Sequence, residues 1–249
     1  MTELADVGHD DVLERVVDTA LPTRYGDFRA IGYSDGATGC EHIALVYGNV
    51  TGQAALTRVH SECLTGDVFA STRCECGEQL AAALRAIVAE GAGVLIYLQG
   101  HEGRGIGLLA KLKAMRLQEQ GLDTVEANIA LGLPVDSRDY RPAAWILRDI
   151  GVHSIRLLSN NPDKFTSLWR SGIRITKREP LLINPTEENL PYLRAKRERL
   201  NHLLPHLGDG DARSSAASTP PNDSTRLANT SPPFSADASD GRPTTPDSV

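Results

Sequence analysis

The chain reads as a mixed α/β (α+β) protein, with antiparallel strands at its N-terminal end and alternating strands and helices after them. Two patterns predict this. In the first quarter, the short β-type runs VLERVV, GDFRAIGYS, EHIALVYG and QAALTRVHS follow one another between Gly, Asp, Asn and Thr turn signals. Beyond them, runs with helical spacing such as EQLAAALRAIVAE alternate with short apolar runs such as GVLIYLQ, which suit buried strands.

Bulk composition narrows the class. With 249 residues and 41% hydrophobic content, the chain can bury a core without disulfide staples. A net charge of −6 and 5% aromatics lack the basic field and stacking surface of a general nucleic-acid binder. No apolar run approaches a membrane span, and the opening MTELADVGHDD is acidic, unlike a signal peptide. The expectation is a cytoplasmic protein with no nucleic-acid or membrane partner and with reduced thiols. Residues 1–11 read as a flexible leader, 12–207 as the structured domain, and 208–249, dominated by Ser, Pro, Thr, Asp and Ala, as a disordered tail.

After the four strands, the segment Arg58 to Gly77, RVHSECLTGDVFASTRCECG, leaves the sheet as a loop and holds Cys63, Cys74 and Cys76. Glycines at 66 and 77 are expected to let it bend. Three converging thiolates suit zinc, and three protein ligands leave one position for water or substrate. Spacing alone leaves other readings open: buried cysteines filling a core, or a closed structural zinc with Cys40, His42 or His60 as fourth ligand.

The helix EQLAAALRAIVAE then stops at a glycine pair, and GVLIYLQ feeds the turn GHEGRGIG, residues 100–107. A glycine-rich turn between strand and helix offers backbone N–H groups to an anion. The match to a dinucleotide fingerprint is weak, because Leu108 stands where the third glycine belongs. Glu102 and Arg104 are its informative members, with a solvated charge pair as the plain alternative. The helix LLAKLKAMRLQ carries Lys111, Lys113 and Arg116. DTVEANIALGLPVDSRDYRPAAWILRDIGV predicts two helices around a polar link with Asp136, Arg138 and Asp139. SIRLLS is a strand, NNPDKFTSLWRSG a helix capped by Asn161 with Pro162 in its first turn, and IRITKREPLL a strand. TEENLPYLRAKRERLNHLL closes the domain as a basic, solvated surface helix.

Taken in series, RVHSECLTGD, RCECG, EGRGIGL, TVEAN, DSRDY and RLLSNNP resemble GTP cyclohydrolase II, from about Val12 to Leu204. The resemblance implies a GTP cyclohydrolase II-like catalytic domain, usually a homodimer, that opens the guanine imidazole ring for riboflavin synthesis. It implies Cys63, Cys74 and Cys76 as zinc ligands. It assigns Arg58, Val59, His60, Ser61, Glu62, Gln79, Glu102, Gly103, Arg104, Thr124, Ser159 and Lys164 to GTP, with Ser159 in place of a threonine. It makes Asp136 and Arg138 the catalytic pair. The family's catalytic tyrosine falls at Met115.

The implied chemistry is water attack at guanine C8 and cleavage of C8–N9, leaving a formamidopyrimidine nucleotide. A second hydrolysis would release formate, and pyrophosphate is lost with Mg²⁺ on the triphosphate. Each nitrogen that departs needs a proton, which a phenol can deliver and methionine cannot. The expectation is therefore a zinc-dependent hydrolase that stops at the formylated intermediate. His101 is the residue that would rescue the second step. The ordinary riboflavin-pathway activity and a non-catalytic zinc- and nucleotide-binding regulatory subunit are the alternatives. Glu102 is expected at the N1–H and N2–H₂ edge of guanine, with Arg104 and Lys164 on phosphate.

Overall fold

The computed structural model of the chain describes residues 13–52, 54–200, 202–204 and 207. The expected leader (1–11) and tail (208–249) lie outside them. Seven strands form one sheet: β1 Leu13–Pro22, β2 Asp27–Asp35, β3 Cys40–Tyr47, β4 Ala55–Ser61, β5 Gly93–Leu98, β6 Ser154–Leu158 and β7 Arg174–Glu179. The helices are α1 Leu64–Asp67, α2 Cys76–Glu90, α3 Leu108–Gln118, α4 Thr124–Ala130, α5 Arg141–Asp149, α6 Pro162–Arg170 and α7 Leu190–Leu200, with a 3₁₀ turn at Glu102–Arg104. No described helix is long and apolar enough to cross a membrane.

Strand order is β1-β2-β3-β5-β4-β6-β7. The first three strands pair antiparallel, as the turn signals predict, and β3 pairs antiparallel with β5. The fourth strand departs from the expectation of an antiparallel run. Instead β4 pairs parallel with both β5 and β6. The reason is α2, which carries the chain back across the sheet between β4 and β5, so the pair forms a crossover unit instead of a hairpin. As a central strand covered on both faces, β4 is buried at every position from Ala55 to His60.

Alternation along the strands divides the core in two. Ile31, Ala44, Val59 and Ile96 face Ala143, Ile146 and Leu147 of α5 and Leu168 of α6. Phe28, Ala30, Leu45, Leu56 and Leu95 face Ala83, Leu84 and Ile87 of α2. The sheet is thus a middle layer between α2 and the α5–α6 pair. α2 ends at Gly91, whose left-handed φ of 82° lets its N–H reach the Val88 carbonyl. Asp123 and Glu126 form a capping box that starts α4. Asn161 caps α6 through Asp163 N–H, with Pro162 first in the helix.

One helix differs from its expected setting. α7 is basic along its length, yet Lys196 is buried and ion-paired with Glu75 at 3.1 Å. The acidic partner lies in the cysteine segment, far away in sequence, so charge pattern alone could not announce it.

Leu147 is fully buried between sheet and helices, whereas Val17 on the edge strand is 51% exposed. Leu147→Ala should cost about 2–5 kcal/mol, and Val17→Ala within about 0.5 kcal/mol, in denaturant unfolding.

Candidate active site

The carboxyl ends of β4, β5 and β6 meet at one end of the parallel half of the sheet, the usual place for a ligand in an open α/β sheet. β4 runs into Cys63, β5 into the loop 99–107, and β6 into Ser159–Asn161 ahead of α6. A partly open cavity lies between these segments.

The three cysteines of the loop converge there. Their sulfurs all lie within 4.8 Å of one another, and Cys63 Sγ and Cys74 Sγ are 3.8 Å apart. Tetrahedral thiolates with Zn–S bonds of about 2.3 Å would stand about 3.8 Å apart, so the donor set and spacing fit zinc. Gly66 and Gly77 make this possible through closeness, not the flexibility expected of them. A Cβ on Gly66 would lie 2.7 Å from Cys74 Sγ, and one on Gly77 would lie 2.3 Å from the Gly66 carbonyl oxygen.

No fourth His, Cys, Asp or Glu joins the cluster among the described residues. His60 is turned to Asp67, its Nε2 3.0 Å from Oδ1. His42 sits 3.9 Å from Asp35 and accepts the Gln99 N–H. Asp67 also accepts from Cys63 N–H at 3.0 Å and from the Tyr97 hydroxyl at 2.9 Å, which fixes the backbone that carries the first cysteine. Lys111 reaches Cys63 Sγ at 3.2 Å, Thr65 Oγ1 at 2.7 Å and Glu102 Oε1 at 2.6 Å. Hydrogen bonds from Cys74 and Cys76, with the Lys111 charge behind them, hold the Cys63 thiol well below its ordinary range.

Glu102 faces inward. Its Oε2 accepts the Leu64 N–H at 2.6 Å, so it ties the glycine-rich loop to the cysteine segment. Next to it the backbone is left-handed at three consecutive residues: Gly103 (φ 59°), Arg104 (φ 67°) and Gly105 (φ 87°). Glycine tolerates this; arginine adopts it at a cost, which is a mark of functional sites. Both terminal nitrogens of Arg104 are buried and lack a partner among the described residues. A buried guanidinium with idle donors suits an anionic ligand.

Further cations face the same cavity. Arg58 donates to the Leu158 carbonyl at 3.0 Å and to Gln79 Oε1 at 2.8 Å. Lys164 donates to the Val59 carbonyl at 2.8 Å and lies 5.4 Å from the centre of the Tyr140 ring. Burial, then the charges of Arg58 and Arg138, push the Lys164 ammonium well below its ordinary range. Burial opposes the charge on Arg138 too, but bonding through Nε and Nη2 to both oxygens of Asp136 outweighs it and keeps the guanidinium firmly protonated.

Most residues expected at the site line this one cavity, including His60, Ser61, Glu62, Gly103, Thr124, Ser159 and Met115. Two do not. Val59 is fully buried and contributes only its carbonyl, and Asp136 acts on the cavity through Arg138. His101 lines the cavity with Nδ1 3.1 Å from Ser61 Oγ, and burial with the charges of Arg138 and Lys164 pushes its imidazole from 6.5 down to about 3. Sequence reasoning missed Asp67, Glu75, Tyr192 and Lys196, and it named Lys111 on its helix without assigning it to the site. Only Lys111 carried a signal, since it stands one turn beyond the glycine-rich loop.

Three thiols beside a cage of cations, at the carboxyl ends of parallel strands, define an α/β protein whose cavity suits an anionic ligand next to a metal-competent centre. Residues 14–180 match the family model "GTP cyclohydrolase II", and the chain belongs to that family of hydrolases, which act on the imidazole ring of GTP. It is 63% identical over 195 residues to GTP cyclohydrolase-2 of Streptomyces coelicolor, covering 78% of this chain and 88% of that one. It is 53% identical over 206 residues to riboflavin biosynthesis protein RibBA of Mycobacterium tuberculosis, covering 81% of this chain and 48% of the relative. The chain therefore spans about half the length of RibBA. A solved structure, RibBX, a two-domain 3,4-dihydroxy-2-butanone 4-phosphate synthase from A. baumannii, aligns at 24% identity and TM-score 0.41 over 70% of this chain and 41% of that one.

Gly66→Ala should drive its methyl into the cysteine sulfurs and weaken the affinity of the cluster for added zinc by about tenfold or more in a chelator competition titration, with the fold retained by circular dichroism. For His101, the folded value of about 3 lies below the unfolded 6.5, so the unfolded state binds more protons between them. Stability should be fully present above pH 6.5 and decline as the pH falls toward 3. His101→Gln should flatten that decline in denaturant titrations at stepped pH.

Proposed function

We propose that the protein opens the imidazole ring of GTP at C8 with loss of pyrophosphate, and that it stops at 2-amino-5-formylamino-6-ribosylaminopyrimidinone 5'-phosphate. The observation that carries the ring-opening reading is the gathering around one cavity of three thiol sulfurs and the two Arg104 terminal nitrogens that lack a partner among the described residues. The catalytic unit is assigned to residues 12–207. A homodimer belongs to the same reading, supported by the exposed Leu109, Leu112 and Ile129 on α3 and α4.

Cys63, Cys74 and Cys76 would hold zinc, which when bound supplies Lewis acidity at one coordination position left open to the cavity. The remaining work falls to the chain. Arg104, Arg58 and Lys164 bind the triphosphate as buried cations, with Mg²⁺ on the leaving pyrophosphate. Arg138 clamps the phosphoryl group being cleaved, and Asp136 holds its guanidinium in plane. The firm protonation of Arg138 supports a clamp over a nucleophile, because a protonated guanidinium has no free electron pair. Glu102 is assigned to the guanine edge, sharing its oxygens between the base donors and those of Leu64 and Lys111.

Addition of water to C8 followed by C8–N9 cleavage transfers one proton to N9 and leaves the formamide on N7. Release of formate needs a second water and a second proton, delivered to N7. Met115 lines the cavity and has no proton to give, which supports arrest at the formamide. A second reading, release of formate as in standard riboflavin synthesis, draws support from Tyr192 and the neutral His101, which line the same cavity.

Incubated with GTP, zinc and magnesium, the protein should yield pyrophosphate and the formylated nucleotide by mass spectrometry, with no formate. Met115→Tyr should then release formate. Stoichiometric formate from the unaltered protein would exclude arrest, and unchanged GTP would exclude ring opening. Arg138→Ala should lower pyrophosphate release by about a hundredfold or more, the scale of a lost transition-state donor.

A further inference from the structure

The family match ends at residue 180, yet part of the cavity wall comes from beyond it. Tyr192, Lys196 and His202 line the same space as Cys76 and Arg104. α7 is held there by polar links. Lys196 Nζ donates to Glu75 Oε1 at 3.1 Å, and the same oxygen accepts from Gln79 Nε2 at 2.7 Å. Gln79 in turn accepts from Arg58 at 2.8 Å, so a buried chain of four side chains runs from α7 to β4. Glu75 stands between Cys74 and Cys76, and Lys196 lies 4.4 Å above the Tyr192 ring. Leu203 N–H bonds the Asn160 carbonyl at 3.0 Å, and Arg199 pairs with Asp123 at the start of α4 at 3.0 Å. Among the described residues, Leu193, Leu204 and Leu207 form a small cluster of their own, separate from both faces of the sheet.

A buried ion pair is a poor source of stability, because desolvation offsets most of the attraction and an apolar pair often serves as well. Such a pair is better suited to fixing where two elements meet. A helix whose described side chains are held mainly by polar ties also opens at low cost, which a cavity that must admit a large anion requires.

We propose that α7 is a closing wall of the nucleotide cavity, and that Lys196 is the positioning residue that latches this wall to Glu75. The latch encloses a nucleoside triphosphate beside the cysteine cluster and stiffens the Cys-Glu-Cys segment from outside it. This inference rests on the GTP reading above.

The test uses the full-length, zinc-loaded protein and a GTP analogue with an uncleavable α,β-methylene link. Calorimetry first reports whether the analogue binds, and hydrogen exchange then follows residues 190–204. Bound analogue should slow exchange across α7 by about tenfold or more, as expected for a segment that opens locally. Lys196→Met should raise KM for GTP by about tenfold or more with a smaller change in kcat and unchanged zinc per chain, and Lys196→Arg should recover part of the loss. Analogue that binds without slowing exchange in α7 overturns the latch alone. So does a Lys196→Met protein with unaltered KM, or one that loses zinc in step with activity. Failure of the unaltered protein to bind the analogue overturns the GTP reading, and the latch with it.

Discussion

Three sulfur atoms brought to within 4.8 Å of one another are the constraint that most of the site answers to. Thiols on an irregular segment have no reason to converge unless the backbone around them packs tightly. Here that packing comes from two glycines in contact, Gly77 against the Gly66 carbonyl and Gly66 under the cysteine sulfurs. Asp67 holds the Cys63 N–H, and α2 begins at Cys76 so that the third sulfur rides on a helix packed against the sheet. β4 delivers the segment to the carboxyl edge only because it runs parallel to its neighbours.

Electrostatics in the cavity follow from the same placement. Cations stand on separate elements, among them Arg58 on β4, Arg104 in the loop after β5, Lys111 on α3, Arg138 in the link before α5, Lys164 on α6 and Lys196 on α7. Burial away from water pushes the Lys164 ammonium down, and the neighbouring positive groups Arg58 and Arg138 add to that by repulsion. Arg138 escapes this because Asp136 travels with it two residues away. A polyanion entering the cavity relieves the strain between these groups, and the arrangement favours a triphosphate over a neutral nucleoside.

Much of this could be read in the sequence, and the limits have physical causes. The helix of residues 76–90 showed its apolar spacing and its glycine stop, and Asn161 showed its cap chemistry. The cysteine cluster was legible as a cluster because its members are close in the chain. The parallel setting of β4 was not, because turn signals around it mimic a hairpin and the pairing depends on where α2 returns. Gly66 and Gly77 were visible, but not their reason, since a close approach between loops leaves no local pattern. Lys196 and Glu75 find each other across most of the domain, and only the folded chain brings them together.

The proposed ring opening depends on a metal held by sulfur on one side and open to the cavity on the other. X-ray absorption at the zinc edge of the purified full-length protein tests it most directly. Three sulfur neighbours at about 2.3 Å and one oxygen neighbour are expected, with the oxygen shell changing when a GTP analogue is added. A fourth sulfur or an imidazole in the shell, or protein that binds no zinc at all, would contradict it.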